Sequence, residues 1–347
     1  METINTRLVR ITGDETADGA ILSEAAEILR RGGLVAFPTE TVYGLGGSAY
    51  YPGAAKKIYE AKGRPSDNPL IVHVSRPEEA EDFAVTCPLY YKLADRFMPG
   101  PLTVILPKKD VIDPSVTGGL DTVAVRCPSN GIARALIAAA GCPVAAPSAN
   151  RSGSPSPTKA SHVMDDLSGR IDMVIDGGEC AIGVESTVIA LDPDGGCTIL
   201  RPGAVTAEML DGVTRGASVP EGVTDPEKVG DKPRSPGMKY KHYSPAAEVI
   251  PATGDLDKFV SLVEGDPEDK KGVIAAETMR DRFSCTVLTA GERDDDLTYC
   301  HSLYDLLREA DRLGLRRVYI RLPRRDGGYL ALYNRLIRAS GGKMTKL

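Results

Sequence analysis

Between residues 211 and 247 the chain loses every regular apolar period, and this gap divides it into two differently patterned halves. The gap carries VPEGVTDPEKVGDKPRSPGMKYKHYSP, with five prolines and no helical or strand repeat. Such a segment reads as a linker. It sets one domain over residues 1–211, a linker over 212–247 and a second domain over 248–347. A total of 347 residues suits two domains better than one.

In the first half, Ile21, Leu22, Ala25, Ile28 and Leu29 fall at helical spacing over Asp18–Arg31, and Gly32-Gly33 supply a stop. LVAFPTETVYG reads as a buried strand running into a loop, followed by a short helix over Gly53–Ala61 and the strand LIVHV (Leu70–Val74). TVIL, DTVAVRCP, PVAAPSAN, DMVID, STVIAL and CTILRPG read as further strands, with helices around Leu89–Phe97, Ile132–Ala140 and Lys159–Leu167. Many strands with only some intervening helices predict a mixed α/β sheet.

The second half alternates more cleanly. Strand Glu248–Pro251, helix Leu256–Val263 and strands Gly272–Ala276 and Cys285–Thr289 come first. A helix through Leu303, Leu306, Leu307, Ala310 and Leu313 leads to VYIRL and a last helix through Leu332, Leu336 and Ile337. This pattern predicts a small doubly wound, Rossmann-like parallel sheet.

Charge and composition narrow the function classes. A net charge of −6, a pI near 5.4, no tryptophan and 5% aromatic residues argue against a long basic groove that stacks many bases. Any RNA contact is expected to be local and weak. Seven cysteines, an odd number with no C-x-x-C spacing, fit small buried hydrophobes in a reducing compartment better than a disulfide framework or a zinc site. METINTRLVRITGDET lacks an apolar core of signal length, and the longest apolar stretch, Ala135–Pro147, is broken by Gly141 and Pro143. The expectation is a cytoplasmic protein without a membrane segment.

Lys62-Gly63-Arg64-Pro65-Ser66-Asp67-Asn68-Pro69 is the most informative run. Each proline pushes the residue before it toward extended backbone, where alternate side chains share a face. Lys62, Arg64, Ser66 and Asn68 would then form a row of two cations and two hydrogen-bonding groups suited to a polyphosphate. A solvated surface loop accounts for the eight residues about as well, and the strand directly after them favours the site. In Asp121–Arg126, Val123 and Val125 take the core side while Thr122 and Arg126 face away; Arg126 could hold a carboxylate or be an ordinary edge arginine. Ala146-Pro147-Ser148-Ala149-Asn150 opens into RSGSPSPT, a hydroxyl-rich loop or simply a turn. Glu185-Ser186-Thr187-Val188 and Leu200-Arg201-Pro202-Gly203 add hydroxyls and another arginine at strand edges.

Other signals carry less. Gly44-Leu45-Gly46-Gly47-Ser48-Ala49 fits a loose dinucleotide fingerprint, but Pro52-Gly53 interrupts the helix that would receive the phosphate. No P-loop motif occurs, and His73, His162, His242 and His301 have no metal-ligand spacing. No nucleophile has an evident flanking base.

Taken together, FPTETVYGLG (37–46), KGRPSDNPLIVHV (62–74), PGPLTVIL (99–106), VAVRCP (123–128), APSANRSGSPSPT (146–158), ESTVI (185–189), LRPG (200–203) and SPGMKYKHYSP (235–245) resemble the long-form threonylcarbamoyl-AMP synthases. The likeness runs from about Ile21 to the C-terminus. It implies a YrdC-like twisted mixed sheet with a concave, positively charged pocket, and a nucleotidyltransferase that joins L-threonine, bicarbonate or CO₂, and ATP. Carried over, Thr41, His73, Arg126, Ala146 and Ser186 would serve threonine. Lys62, Arg64, Asn68, Thr122, Ser148, Ser156 and Arg201 would serve ATP, with Lys62 and Arg64 catalytic and Tyr243 across the nucleotide. Mg²⁺ would come with ATP, held by the phosphates rather than by a carboxylate cluster. The product would pass to a tRNA-modifying threonylcarbamoyl transferase complex. Ser235–Pro245, with its cations, tyrosines and flanking prolines, would form a lid that excludes water. A non-catalytic RNA-binding module is the main alternative; carbamoyl transfer from carbamoyl phosphate is another, but this chain has neither acylphosphatase-like nor zinc-finger segments.

Overall fold

The computed structural model describes residues 4–224, 243–292, 296–323, 325 and 327–347. In chain order the first half runs β1 (Arg7–Arg10), α1 (Glu15–Arg30), β2 (Val35–Phe37), β3 (Gly44–Ser48), α2 (Ala54–Lys62), β4 (Ile71–His73), α3 (Pro88–Phe97), β5 (Leu102–Pro107) and β6 (Thr122–Arg126). It continues through α4 (Gly131–Ala140), β7 (Val144–Ala145), α5 (Ala160–Leu167), β8 (Met173–Asp176), β9 (Thr187–Leu191), β10 (Cys197–Arg201), α6 (Ala207–Asp211), β11 (Ala217–Ser218) and α7 (Glu221–Thr224). Local chemistry sets the helix ends. Asp14 caps α1 by accepting from the Thr16 and Ala17 amides, and Asn130 caps α4 in the same way.

These strands form an eleven-stranded mixed sheet in the order β1-β8-β2-β3-β7-β4-β6-β5-β9-β10-β11. Strand alternation divides its core into two layers. Val35, Phe37, Met173 and Ile175 face α1 and α4, whereas Ala36 and Val174 face the layer built with α2, α3 and α5. The glycine-rich β3 is a central strand. A Cβ on Gly46 would stand 2.7 Å from the Phe37 ring and 2.8 Å from Val144, so glycine is there for close packing.

The second half comprises β12 (Glu248–Thr253), α8 (Leu256–Glu264), β13 (Lys271–Ala275), β14 (Thr286–Thr289), α9 (Asp296–Arg312), β15 (Arg317–Arg321), α10 (Tyr329–Ala339) and β16 (Thr345–Lys346). Its order is β14-β13-β15-β12-β16, and every pairing is parallel. Alternation again sorts the faces. Val249, Ile274, Leu288, Val318 and Ile320 pack with α9 and α10, while Ala252, Val273, Ala275 and Tyr319 pack with α8.

The α9/α10 face docks on the first domain, taking in Val42, Val184 and Tyr243. Polar contacts frame that apolar patch: Arg308 donates to Asp166 at 2.7 Å and to the Pro155 carbonyl at 2.6 Å, and Lys159 and His162 both meet Asp305. Residues 212–224, read from the sequence as the start of a linker, carry regular structure. Strand β11 pairs with β10, and Val223 accepts a hydrogen bond from Asn334 of α10. Most of the expected lid, Ser235–His242, lies outside the described residues. Among the described residues no helix is long and apolar enough to cross a membrane.

Candidate active site

The three residues of β4 show how the sequence builds the cleft. Val72 points into the core, so its neighbours Ile71 and His73 share the opposite face and line a cleft at the sheet's centre. The Ala146 amide donates to the Ile71 carbonyl at 2.8 Å, which carries Ala146, Pro147 and Ser148 along the same wall. The remaining walls come from Thr39 and Val42 after β2, from Lys62 and Arg64 at the end of α2, from the Asn150–Ser154 loop, and from Glu185, Arg201 and Tyr243.

Gly63 decides the shape of the cationic corner. Its left-handed conformation (φ 61°) ends α2 immediately after Lys62, so Lys62 is a helix residue. The extended row read from the sequence is therefore corrected. Lys62 and Arg64 reach the cleft, but Ser66 sits in an exposed turn and Asn68 is buried behind Arg64's loop. The Lys62 ammonium donates to the carbonyls of Ser148 and Asn150, tying α2 to the opposite wall. Arg64 donates to the Asn68 and Pro69 carbonyls, each at 3.2 Å, and its Nε has no partner among the described residues. Among the described residues the Asn68 side-chain amide likewise has no partner on its oxygen or its nitrogen. Arg201 donates through Nε to the Ser186 carbonyl and through Nη2 to the Ser186 hydroxyl, both at 3.0 Å. The adjoining turn needs Gly203, because a Cβ there would meet the Thr187 nitrogen at 2.4 Å.

Burial makes these cations costly to hold. It pulls the Lys62 ammonium well below its ordinary pKa, with Arg64 adding to the effect, lowers Arg64 to about 10, and lowers Arg201 as well. His73 is pushed down to about 3 by burial and then by Arg126, so its imidazole is neutral and donates from Nδ1 to the Ile71 carbonyl. The lining carboxylate, Glu185, is already matched. Burial alone would raise its pKa, yet Arg335, Arg201 and the Ser156 hydroxyl hold it below the usual value. Two buried cations, the half-buried Arg64 and a neutralised carboxylate leave a cleft suited to a polyanion.

Of the residues singled out in the sequence, Lys62, Arg64, His73, Ala146, Ser148, Arg201 and Tyr243 line this cleft. Thr41, Asn68, Thr122, Arg126, Ser156 and Ser186 stand outside its lining, for identifiable reasons. Thr41 is buried against the Thr39 hydroxyl, and Thr39 takes the wall position. Thr122 starts β6 beside Pro107, at the end of the strand away from Arg126. Arg126 is buried in an ion pair with Glu40 at 2.7 Å. Ser156 is spent on Glu185, and Ser186 joins Thr103 to Arg201.

Tyr243 is the non-glycine residue with positive φ among those described, at 64°. Such a backbone costs on the order of 1 kcal/mol. It is held by stacking on Tyr304, with centroids 5.4 Å apart, and by Ser244, which bonds to Gly153 on the cleft rim and to Ala339 of α10. Glu40, Glu185, Tyr304 and Arg335 were missed by sequence reasoning. Arg335 did leave a signal, an arginine set between Leu332 and Leu336 in the last helix. No group of acidic, histidine or cysteine residues able to hold a metal occurs among the described residues.

A family model described as "Telomere recombination", covering the Sua5, YciO and YrdC proteins, matches residues 27–203. A second, described as the C-terminal domain of threonylcarbamoyl-AMP synthase, matches residues 205–341. The chain is 43% identical over 343 residues to the threonylcarbamoyl-AMP synthase of Bacillus subtilis, with 97% of this chain and 98% of that one covered. It is also 43% identical over 333 residues to the Pyrococcus abyssi protein of the same name, covering 93% and 95%. A crystal structure of P. abyssi Sua5 complexed with L-threonine superposes with a TM-score of 0.88, at 41% identity and 99% coverage of both chains.

Proposed function

Because the chain belongs to the threonylcarbamoyl-AMP synthase family, we propose that its cleft joins L-threonine, bicarbonate and ATP into threonylcarbamoyl-AMP and releases pyrophosphate. The observation that carries this reading is the convergence of Lys62, Arg64 and Arg201 on one cleft whose acidic member is already paired.

The threonine amine combines with bicarbonate, losing water, to form a carbamate. A carbamate oxygen then attacks the α-phosphorus, and the bond from that phosphorus to the bridging oxygen breaks as pyrophosphate leaves. Such a transfer asks for positioning and charge neutralisation more than for a protein nucleophile. Lys62 and Arg64 neutralise the phosphates in this scheme, with Arg201 and the Ser148 hydroxyl beside them. Arg64 lines the cleft with an Nε that has no partner among the described residues, hydrogen-bonding capacity on the nucleotide side, while Asn68 lies behind that wall and supports the Arg64 loop. Thr122 and Ser156 support the nucleotide side from behind the wall. On the threonine side, neutral His73 and the backbone at Ala146 offer contacts. Arg126 would share its guanidinium between Glu40 and the substrate carboxylate, while Thr41 and Ser186 fix the walls. Tyr243 would cover the nucleotide.

ATP is taken as its Mg²⁺ complex, with the ion carried by the phosphates as part of the substrate. Glu185 is not free to hold the ion, since its carboxylate already accepts from Arg335, Tyr304 and Ser156. When bound, the ion spreads the charge that develops on pyrophosphate. The mixed-anhydride product is short-lived in water, so a tRNA-modifying threonylcarbamoyl transferase must take it up in the same compartment, the cytoplasm. Direct RNA contact would be weak on a chain of net charge −6.

The test is pyrophosphate release by the full chain with threonine, bicarbonate and MgATP, omitting each in turn. Release should require all three. Release without threonine, or orthophosphate in place of pyrophosphate, would overturn the reading.

A further inference from the structure

The face of the C-terminal domain that meets the cleft brings a charge with it. Arg335 is fully buried in α10. Its Nε donates to the Glu185 carboxylate at 2.8 Å, Nη1 to the Pro202 carbonyl at 2.7 Å, and Nη2 to the Glu185 carbonyl at 3.3 Å. Both partners belong to the first domain, and Glu185 lines the cleft. Tyr304 of α9 donates to the same carboxylate at 2.9 Å. The groups facing Glu185 are thus Ser156, Lys62 and Arg201 from its own domain, with Arg335, Tyr304 and Tyr243 from beyond it.

Without Arg335, the first domain would present a buried carboxylate whose field reaches both Lys62 and Arg201. That charge would compete with phosphate for the cations and repel the phosphate directly. A buried ion pair is a poor way merely to glue two domains, because an apolar pair of similar size does so at least as well. Its position in the cleft wall gives this pair another use.

We infer that Arg335 is a positioning residue for the nucleotide, cancelling Glu185 so that Lys62, Arg64 and Arg201 act unopposed on the triphosphate. The C-terminal domain then completes the charge balance of the active site. This rests on the ATP reading of the cleft.

The test uses the full chain as wild type, R335K, R335M, E185Q and the double variant R335M/E185Q. It measures KM for ATP and for threonine, and the ATP-induced rise in Tm. R335M should raise the ATP KM by roughly tenfold or more near pH 8, with a smaller change for threonine. Near pH 6 the defect should shrink, since burial favours the protonated form once the carboxylate has lost its main cationic partner, even with Arg201, Ser156 and Tyr304 still beside it. R335K should recover much of the loss, and the double variant should bring the ATP KM back toward wild type. If R335M does not fold, E185Q decides: its ATP-induced Tm rise should exceed that of wild type. The inference is overturned if R335M leaves the ATP KM within about twofold, if the double variant is no better than R335M, or if E185Q responds less to ATP. A wild-type chain with no ATP-induced Tm rise would instead sink the ATP reading itself.

Discussion

Replacing Lys62 with alanine should cost stability and rate together, and the structure separates the two. Lys62 is 3% exposed, and its ammonium donates to the Ser148 and Asn150 carbonyls, with a longer contact to the Asn150 side chain at 3.4 Å. Removing it strands the buried Asn150 carbonyl and the part-buried Ser148 carbonyl, each worth about 1–3 kcal/mol if left dry. Two things offset this: water can enter a polar cleft, and the desolvation that depresses the Lys62 pKa disappears with the charge. A net loss of about 1–2 kcal/mol is expected, or a fall in Tm of about 1–3 °C in a protein of this size. The rate should fall on the order of a hundredfold, the usual effect of deleting one preorganised donor at a developing charge. Scanning calorimetry and a coupled pyrophosphate assay on the same preparation read both quantities. A variant with unchanged Tm and a rate within about threefold of wild type would refute both the tie across the cleft and the phosphate role.

His73 supplies a pH prediction. Its folded pKa near 3 lies below the unfolded value of 6.5, so the unfolded chain binds the extra proton and stability is lost as pH falls from 6.5 toward 3. Denaturant midpoints should show about 2 kcal/mol lost between pH 6.5 and 5, and His73→Gln should flatten that slope; equal slopes would contradict the assignment. Arg308→Ala leaves Asp166 in a largely buried site without its partner and should destabilise the docked pair by about 3 kcal/mol, read as a lower Tm; no change would mean that the apolar patch alone holds the interface. Threonine should be preferred over serine only about 10–200-fold in kcat/KM, the worth of one methyl group, and equal rates for glycine, serine and threonine would exclude a methyl pocket beside His73.

Legibility in the sequence followed the strength of local pattern. The second domain was readable because Val249/Ile250 and Val318/Tyr319 alternate faces and α9 repeats its leucines at helical spacing. Strand β3 was hidden because GLGGS has no strand propensity of its own; neighbours that leave no room for side chains make it a strand. Lys62 and Arg64 were found, but the parity argument failed where Gly63 caps a helix one residue later than expected. Glu185 lay inside a recognised motif, yet its meaning depends on Arg335, 150 residues away. Sequence proximity carries no information about that pairing, and only the docking of the two domains creates it.

The central claim is that one cleft builds the carbamate and adenylates it. Mass spectrometry of the product formed from ¹³C-bicarbonate, threonine and MgATP tests this most directly. The account predicts threonylcarbamoyl-AMP carrying the label, formed in step with pyrophosphate. An unlabelled product, or threonyl-AMP lacking the added carbon, would contradict it.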